Sequence, residues 1–267
     1  MRLALRITLA TGLALGLAAP SFAAETSARR ADKDVHFAFE GPLGTYDRAA
    51  LQRGYQVYKE VCAACHSVQR IAFRNLTDEG GPGFSVAQAR ALAAGTQIVA
   101  GPNDQGLTHN DSGEPLTRPG ILADYFPPPF PNENAARTAN GGALPPDLSL
   151  FVKTRRHGAN YIYSILTGYG EKPPADVSVP EGKHYNPWFE GGSISMPKPL
   201  NVDGVTYADG TKATIEQQAH DVTIFLAWAS EPKMEERKRM GIAVLGFLLA
   251  FAAVLFLAYR KVWKDVH

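Results

Sequence analysis

The chain of 267 residues has only two cysteines, Cys62 and Cys65, and a histidine, His66, directly follows the second. Two thiols separated by two residues with an imidazole after them form the attachment pattern of a c-type haem. On a helix Cys62 lies three residues before Cys65 and four before His66, so both sulfurs and the ring share one face. From that face the thiols can add to the two vinyl groups of a haem as thioethers, while neutral His66 gives one axial nitrogen to iron. Other uses of the pair fit less well. A zinc knuckle needs four ligands, and the next histidine, His109, lies far outside finger spacing. A thioredoxin-like motif wants a strand before it and a βαβ pattern around it, and neither is visible. A disulfide between Cys62 and Cys65 would close too small a loop to stabilise much.

A second axial ligand is then needed, and methionine sulfur in that position raises the reduction potential. After Met1 the chain offers Met196, Met234 and Met240. The last two sit at the approach to an apolar C-terminal run. Met196 lies in Gly191-Gly192-Ser193-Ile194-Ser195-Met196-Pro197-Lys198-Pro199, whose glycines and prolines can hold a sulfur in place. It is the leading candidate. His36, His109, His157, His184 and His220 are the rivals.

The haem motif needs an element to deliver it. A helix from Thr45, with Leu51, Tyr55 and Tyr58 at helical spacing, runs into it. Gly54 in its middle costs about 1 kcal/mol against alanine, which points to close approach of another helix. The best partner is a helix beginning at Thr214, where Thr214 and Gln217 make a capping box and Val222, Phe225, Leu226 and Trp228 a bulky face. Glu231-Pro232 ends it. Between the two, short helices are expected over Ser85 to Ala94, Asn134 to Asn140, Leu148 to His157 and Tyr161 to Leu166. Asp203-Gly204 and Asp209-Gly210 predict turns around a short strand pair. The run from Asp124 to Pro131 cannot be helical, and serves either as loop scaffold or as a packing surface for a ring or partner.

The two ends place the chain relative to a membrane. Arg2 and Arg6, an apolar run to Ala19 and then Pro20-Ser21-Phe22-Ala23 read as a secretory signal over residues 1–23, cleaved after Ala23. Export agrees with covalent haem attachment, which takes place outside the bacterial cytoplasm. Residues 240–259 carry no charge and are apolar all round, long enough as helix to span about 30 Å. Basic residues flank both sides, so charge alone does not orient it. With the haem domain exported, residues 24–239 form a periplasmic domain and residues 260–267 a cytoplasmic tail. The location is therefore a bacterial inner membrane crossed once. Removing Arg2, Arg6, Arg260, Lys261, Lys264 and Asp265 from 27 basic and 26 acidic side chains leaves 22 against 25. This mild acidity argues against nucleic acid as a partner.

Several further segments, in order, carry a family resemblance: Arg53-Gly54-Tyr55-Gln56-Val57-Tyr58 before the haem motif, Arg118-Pro119-Gly120, Asp124-Tyr125-Phe126-Pro127, and Asn132 to Arg137. They continue with Asn140-Gly141-Gly142-Ala143-Leu144-Pro145-Pro146-Asp147-Leu148-Ser149, Leu166-Thr167-Gly168-Tyr169, the Met196 loop, Ala229-Ser230-Glu231-Pro232 and Arg237-Lys238-Arg239-Met240. With these, the chain resembles the cytochrome c1 family, the haem-carrying subunits of bc1 complexes, in its alphaproteobacterial form. The resemblance implies a mainly α fold: a class I cytochrome c-like haem domain with long loops and a short β-hairpin, plus one C-terminal transmembrane helix. It implies one covalently bound haem c, with Cys62 and Cys65 as thioether positions, His66 as proximal ligand and Met196 as distal ligand. Arg155 matches the arginine that pairs with a haem propionate, and Asn140, Ala143, Pro145, Pro146 and Tyr161 match haem-pocket residues. Some bacterial relatives carry an extra cysteine pair before the distal methionine. This chain has none, so its Met196 loop must be held by glycine and proline geometry and by packing.

The resemblance further implies an electron-transfer subunit of quinol:cytochrome c oxidoreductase, with no substrate chemistry of its own. It would take single electrons from the Rieske iron-sulfur protein, sit beside cytochrome b, and pass them to a soluble or membrane-anchored c-type cytochrome. A haem sensor or enzyme with an open iron position, and a scaffold subunit with a structural haem, are the rival classes. Glu171, Asp176 and Glu181, in the loop before the Met196 segment, are candidate charges for steering a basic partner.

Overall fold

The computed structural model describes residues 29–175 and 177–265. The secretory-signal reading falls on residues 1–23, outside that range. Along the chain come α1 (Arg48–Glu60), α2 (Val86–Ala94), β1 (Gln97–Val99), β2 (Thr117–Pro119), α3 (Glu133–Ala139), α4 (Phe151–Thr154), α5 (Gly158–Leu166), β3 (His184–Tyr185), β4 (Ser193–Ile194), α6 (Ile215–Ser230) and α7 (Met234–Val262). The architecture is mainly helical, with two antiparallel strand pairs, β1 with β2 and β3 with β4.

Helix α1 starts later than Thr45 because Tyr46 turns into the core, where its hydroxyl donates to Ala227 O at 3.2 Å. Asp47 caps the helix instead, accepting from the N–H groups of Ala49 and Ala50 at 2.9 and 3.2 Å. The partner foreseen for Gly54 is present. A Cβ at Gly54 would lie 2.1 Å from the Asp221 carbonyl oxygen of α6 and 2.8 Å from Phe225 Cβ. The two backbones can approach this closely only over a hydrogen. Beside that contact Arg53 forks onto the fully buried Asp221 at 2.8 and 3.1 Å. Tyr55 and Tyr58 pack on Phe225 with centroids 5.7 and 5.5 Å apart. Phe126 joins them from the Asp124 to Pro131 run, its N–H donating to Ile71 O at 2.9 Å, so that run is scaffold at this point.

At the start of α6 the Thr214 hydroxyl accepts from Gln217 N–H at 3.1 Å. The return half of the expected capping box is missing, because the Gln217 amide reaches Asp221 at 3.0 Å instead. At α2 both halves form, between Ser85 and Gln88. The chain breaks at Glu231 (φ −150°) before Pro232 and resumes as α7. That helix of 29 residues has a mean hydropathy of 2.7 over its apolar window, and none of that window is buried. At 1.5 Å per residue it is about 43 Å long, longer than the roughly 30 Å of hydrocarbon. Its first turns belong to the haem domain: Met234 is buried, Glu235 pairs with Arg48 at 2.7 Å, and Lys238 donates to Phe39 O and Gly44 O. The helix therefore begins before residue 240, with its charged first turns packed on the haem domain.

Two local expectations fail. Leu148 to His157 is not one helix; α4 has four residues, Arg155 is extended, and His157 sits at φ 61° ahead of α5. Asp32 accounts for this, its carboxylate lying 2.9 Å from His157 Nδ1 and holding the ring in that left-handed corner. The turns at Gly204 and Gly210 form, but no strand pair surrounds them among the described residues. The segment there folds back through Asp203 N–H to Ala213 O at 2.9 Å and onto α6 through Gln218. The hairpin lies before Met196, as β3 and β4. Helix α3 is shifted one residue earlier than expected, capped by Asn132.

Candidate haem site

The Cys62–Ala64 segment is a single 3-10 turn just beyond α1, after the C-cap Val61. The motif is thus not on the α-helix itself. The N–H groups of Cys65 and His66 both donate to Cys62 O, at 3.1 and 2.8 Å, which draws the two thiols and the ring onto a tight corner. Both thiols are free, Cys62 half-buried and Cys65 exposed.

His66 Nδ1 lies 2.9 Å from Pro146 O. A carbonyl only accepts, so Nδ1 carries the proton and Nε2 keeps its lone pair. Burial lowers the imidazole pKa, with the Pro146 bond and the Asp147 charge opposing. The Pro145-Pro146 loop is fastened to the motif by neighbouring contacts. Asp147 accepts from Ser67 Oγ at 2.8 Å, from Gln69 N–H at 3.0 Å and from Ser149 N–H at 2.9 Å, and Leu148 N–H donates to Ser67 O. Burial works to raise the Asp147 pKa, but these hydrogen bonds outweigh it and hold the carboxyl below its usual value. Upstream, Asn140 caps α3 and returns its Nδ2 to Ala136 O at 2.7 Å. Gly141 and Gly142 then turn through φ 58° and 88° before Ala143.

Arg155, Phe151 and Tyr161 form a second group. The Arg155 guanidinium lies 4.4 Å over the Phe151 ring, and Phe151 and Tyr161 have centroids 6.4 Å apart. Burial raises the Tyr161 pKa and the nearby Arg155 and Arg29 cations oppose it. Among the described residues Arg155 pairs with no carboxylate and donates only to Thr154 O, at 3.5 Å.

Met196 follows β4, half-buried against the same core that Cys62, Ala63 and Tyr161 abut. Its loop is held as packing and glycine geometry require in the absence of a disulfide. Asn186 is fully buried, donates to Ile165 O at the end of α5 at 2.9 Å, and accepts from Trp188 N–H. Gly168 admits it, since a Cβ there would lie 2.6 Å from Asn186 Oδ1 and from the Trp188 ring. The Tyr169 hydroxyl donates to Met196 O at 2.9 Å. No hydrogen bond joins the Met196, Asn140 or Arg155 side chains to the Cys62 to His66 corner among the described residues; Met196 and Cys62 both pack on the one hydrophobic core. Sequence reasoning missed Asn186 and Trp188, whose partners are distant in the chain, and the Asp147 clamp. Glu171, read as a docking charge, is already engaged by Arg30 at 2.8 and 2.9 Å, and Asp176 lies outside the described residues.

The donor set suits a covalent haem: two free thiols and an imidazole with its Nδ1 proton committed stand together at a fixed corner. Comparison with known proteins agrees. Residues 37–266 match the model of the "Cytochrome C1 family". The chain is 49% identical to the cytochrome b/c1 protein of Bradyrhizobium diazoefficiens over 86% of its own length, and it spans only 35% of that longer protein. It is 52% identical to the mitochondrial cytochrome c1 haem protein of Kluyveromyces lactis, covering 85% of this chain and 74% of that one. It is 48% identical to the mitochondrial cytochrome b-c1 complex catalytic subunit of Candida albicans over 85% of this chain and 75% of that one. Motif, fold and relatives agree that the chain belongs to the cytochrome c1 family, whose members are the haem subunits of bc1 complexes.

Proposed function

We propose that this chain carries one haem c and passes single electrons from a Rieske iron-sulfur protein to a soluble or membrane-anchored c-type cytochrome, beside cytochrome b. When bound, the haem supplies a one-electron iron couple. Cys62 and Cys65 hold it by thioethers, His66 and Met196 are the axial ligands, and Arg155 takes a propionate. Asn140, Ala143, Pro145, Pro146 and Tyr161 line the pocket. The observation that carries this reading is the His66 Nδ1 bond to Pro146 O beside two free thiols. Of the five rival histidines, His157 lies 2.9 Å from Asp32, His220 stacks on Phe37 at 5.0 Å, His36 lies 3.6 Å from Glu40, His109 meets Thr108 and His184 pairs with Ile194 in the hairpin before Met196.

The apolar α7 supports a membrane-anchored domain; the haem motif, which calls for export, supports reading residues 1–23 as the export signal, the haem domain as periplasmic and residues 260–267 as cytoplasmic. The test uses membranes holding the whole complex. After quinol addition, the haem absorbance should rise by one electron per chain and fall again when oxidised soluble c-type cytochrome is added, and the rise should vanish in membranes lacking the Rieske protein. A haem that stays silent to quinol but takes up carbon monoxide freely in the wild type would overturn the proposal.

A further inference from the structure

The segment Arg29 to Lys33, ahead of the first helix, is bound along the very part of the chain that leads to Met196. Arg30 N–H donates to Pro187 O at 2.8 Å, Arg29 Nε to Trp188 O at 2.7 Å, and Trp188 Nε1 to Ala31 O at 3.1 Å. The Trp188 ring is buried and also carries two cations, the Arg30 guanidinium and the Lys33 ammonium, each 4.6 Å from its centre. Both cations are tied down in turn. Arg30 forks onto Glu171, and Lys33 Nζ donates to Thr167 Oγ1 at 2.7 Å at the end of α5.

We infer that this N-terminal strap is the lock on the Met196 loop: by clamping Trp188 it positions the sulfur, and its loosening frees the sixth position. The inference rests on Met196 being the distal ligand. The physical argument is one of chain length and anchorage. Trp188 lies eight residues before Met196, β3 and β4 have two residues each, and so short a hairpin is marginal without outside packing. Among the described residues only Asn186, Tyr169 and the strap supply that packing with hydrogen bonds. Two cations over one indole add an attraction that strengthens with desolvation. Trp188, Arg30 and Lys33 are therefore positioning residues. They act on iron ligation through the loop.

The test uses the full-length haem-loaded protein in membranes and compares Arg30→Gln with Lys33→Gln together, the conservative pair Arg30→Lys with Lys33→Arg, Trp188→Leu, and Met196→Leu. Three quantities are read: the sulfur-to-iron charge-transfer band of the oxidised haem, carbon monoxide binding to the reduced haem, and the reduction potential. The glutamine pair and Trp188→Leu should weaken the band, lower the potential and raise the carbon monoxide-reactive fraction at least about tenfold, while the conservative pair stays as wild type. Wild-type values for the glutamine pair overturn the inference, and that pair decides even if Trp188→Leu fails to fold, because Arg30 is exposed. Should Met196→Leu abolish the band while the strap variants leave it unchanged, the strap has no positioning role and the ligand assignment stands. If Met196→Leu itself leaves the band in place, the ligand assignment falls and the strap's role falls with it.

Discussion

Replacing Gly54 by alanine sets two effects of opposite sign against each other. By helix propensity alone the change should stabilise α1 by about 1 kcal/mol. At this site the new methyl would lie 2.1 Å from the Asp221 carbonyl oxygen, 2.7 Å from its carbon and 2.8 Å from Phe225 Cβ. All are backbone or near-backbone atoms that cannot swing away. Bringing the closest contact to about 3.4 Å requires the helices to part by roughly 1.3 Å, and overpacking of this kind costs about 1–3 kcal/mol. Parting also strains the fork between Arg53 and Asp221, which spans the same two helices. Losing a buried pair costs about 3–5 kcal/mol, so even a partial loss outweighs the propensity gain. The expected net destabilisation is about 2 kcal/mol or more. For a domain of this size that lowers the melting temperature by about 4–8 °C. Thermal unfolding of the haem-loaded protein, followed by the far-ultraviolet helical signal, measures it. An unchanged or higher melting temperature would mean that propensity wins, and the close packing of α1 on α6 would be refuted.

Asp221→Ala should destabilise by up to about 3–5 kcal/mol, with Asp209 at 2.9 Å still compensating part of the Arg53 charge, and urea unfolding reads this directly. For Asp221 burial acts to raise the pKa, but the hydrogen bonds from Arg53 and Gln217 and the nearby His220 ring, 3.9 Å away, prevail and hold the carboxyl below its usual value. Its stabilisation is therefore complete above the unfolded-state pKa and lost as pH falls through the lower folded-state value, and Asp221→Asn should flatten acid unfolding below about pH 4. Stopping the chain after Pro232 should release a soluble domain that retains haem; recovery of that truncated domain in the membrane fraction would require another anchor. Arg155→Gln should lower the haem reduction potential, since a lost cation disfavours the added electron, and a redox titration that shows no change would remove Arg155 from the propionate. Electron transfer to a basic soluble cytochrome should slow with ionic strength, and Arg30→Gln together with Glu171→Gln should leave that slope unchanged because the two charges cancel in the pair.

What could be read locally was read from short patterns. The Cys62, Cys65, His66 spacing, the Ser85 and Gln88 box, Gly95 after α2, the Glu231-Pro232 break and the apolar run of α7 are all encoded within a few residues. Gly54 was legible because a glycine inside a helical pattern needs a neighbour, and α6 is the element with a bulky face to meet it. The remainder depended on partners far apart in sequence. Asp32 lies 125 residues from the His157 whose left-handed turn it holds, and Trp188 lies 157 residues from Ala31. No local signal distinguishes the Gly204 and Gly210 turns, which fold back on α6, from the His184 to Ile194 region, which pairs as strands. The Gln217 side chain likewise left its cap for a buried carboxylate that only the tertiary fold brings near.

The central claim is a haem held by His66 and Met196, and one substitution bears on it most directly. Met196→Leu keeps the size and apolar character of the side chain while removing the sulfur. In the haem-loaded protein it should lower the reduction potential by a large margin, abolish the sulfur-to-iron band and let carbon monoxide bind the reduced iron. A potential and spectrum identical to wild type, with no carbon monoxide binding, would contradict the account.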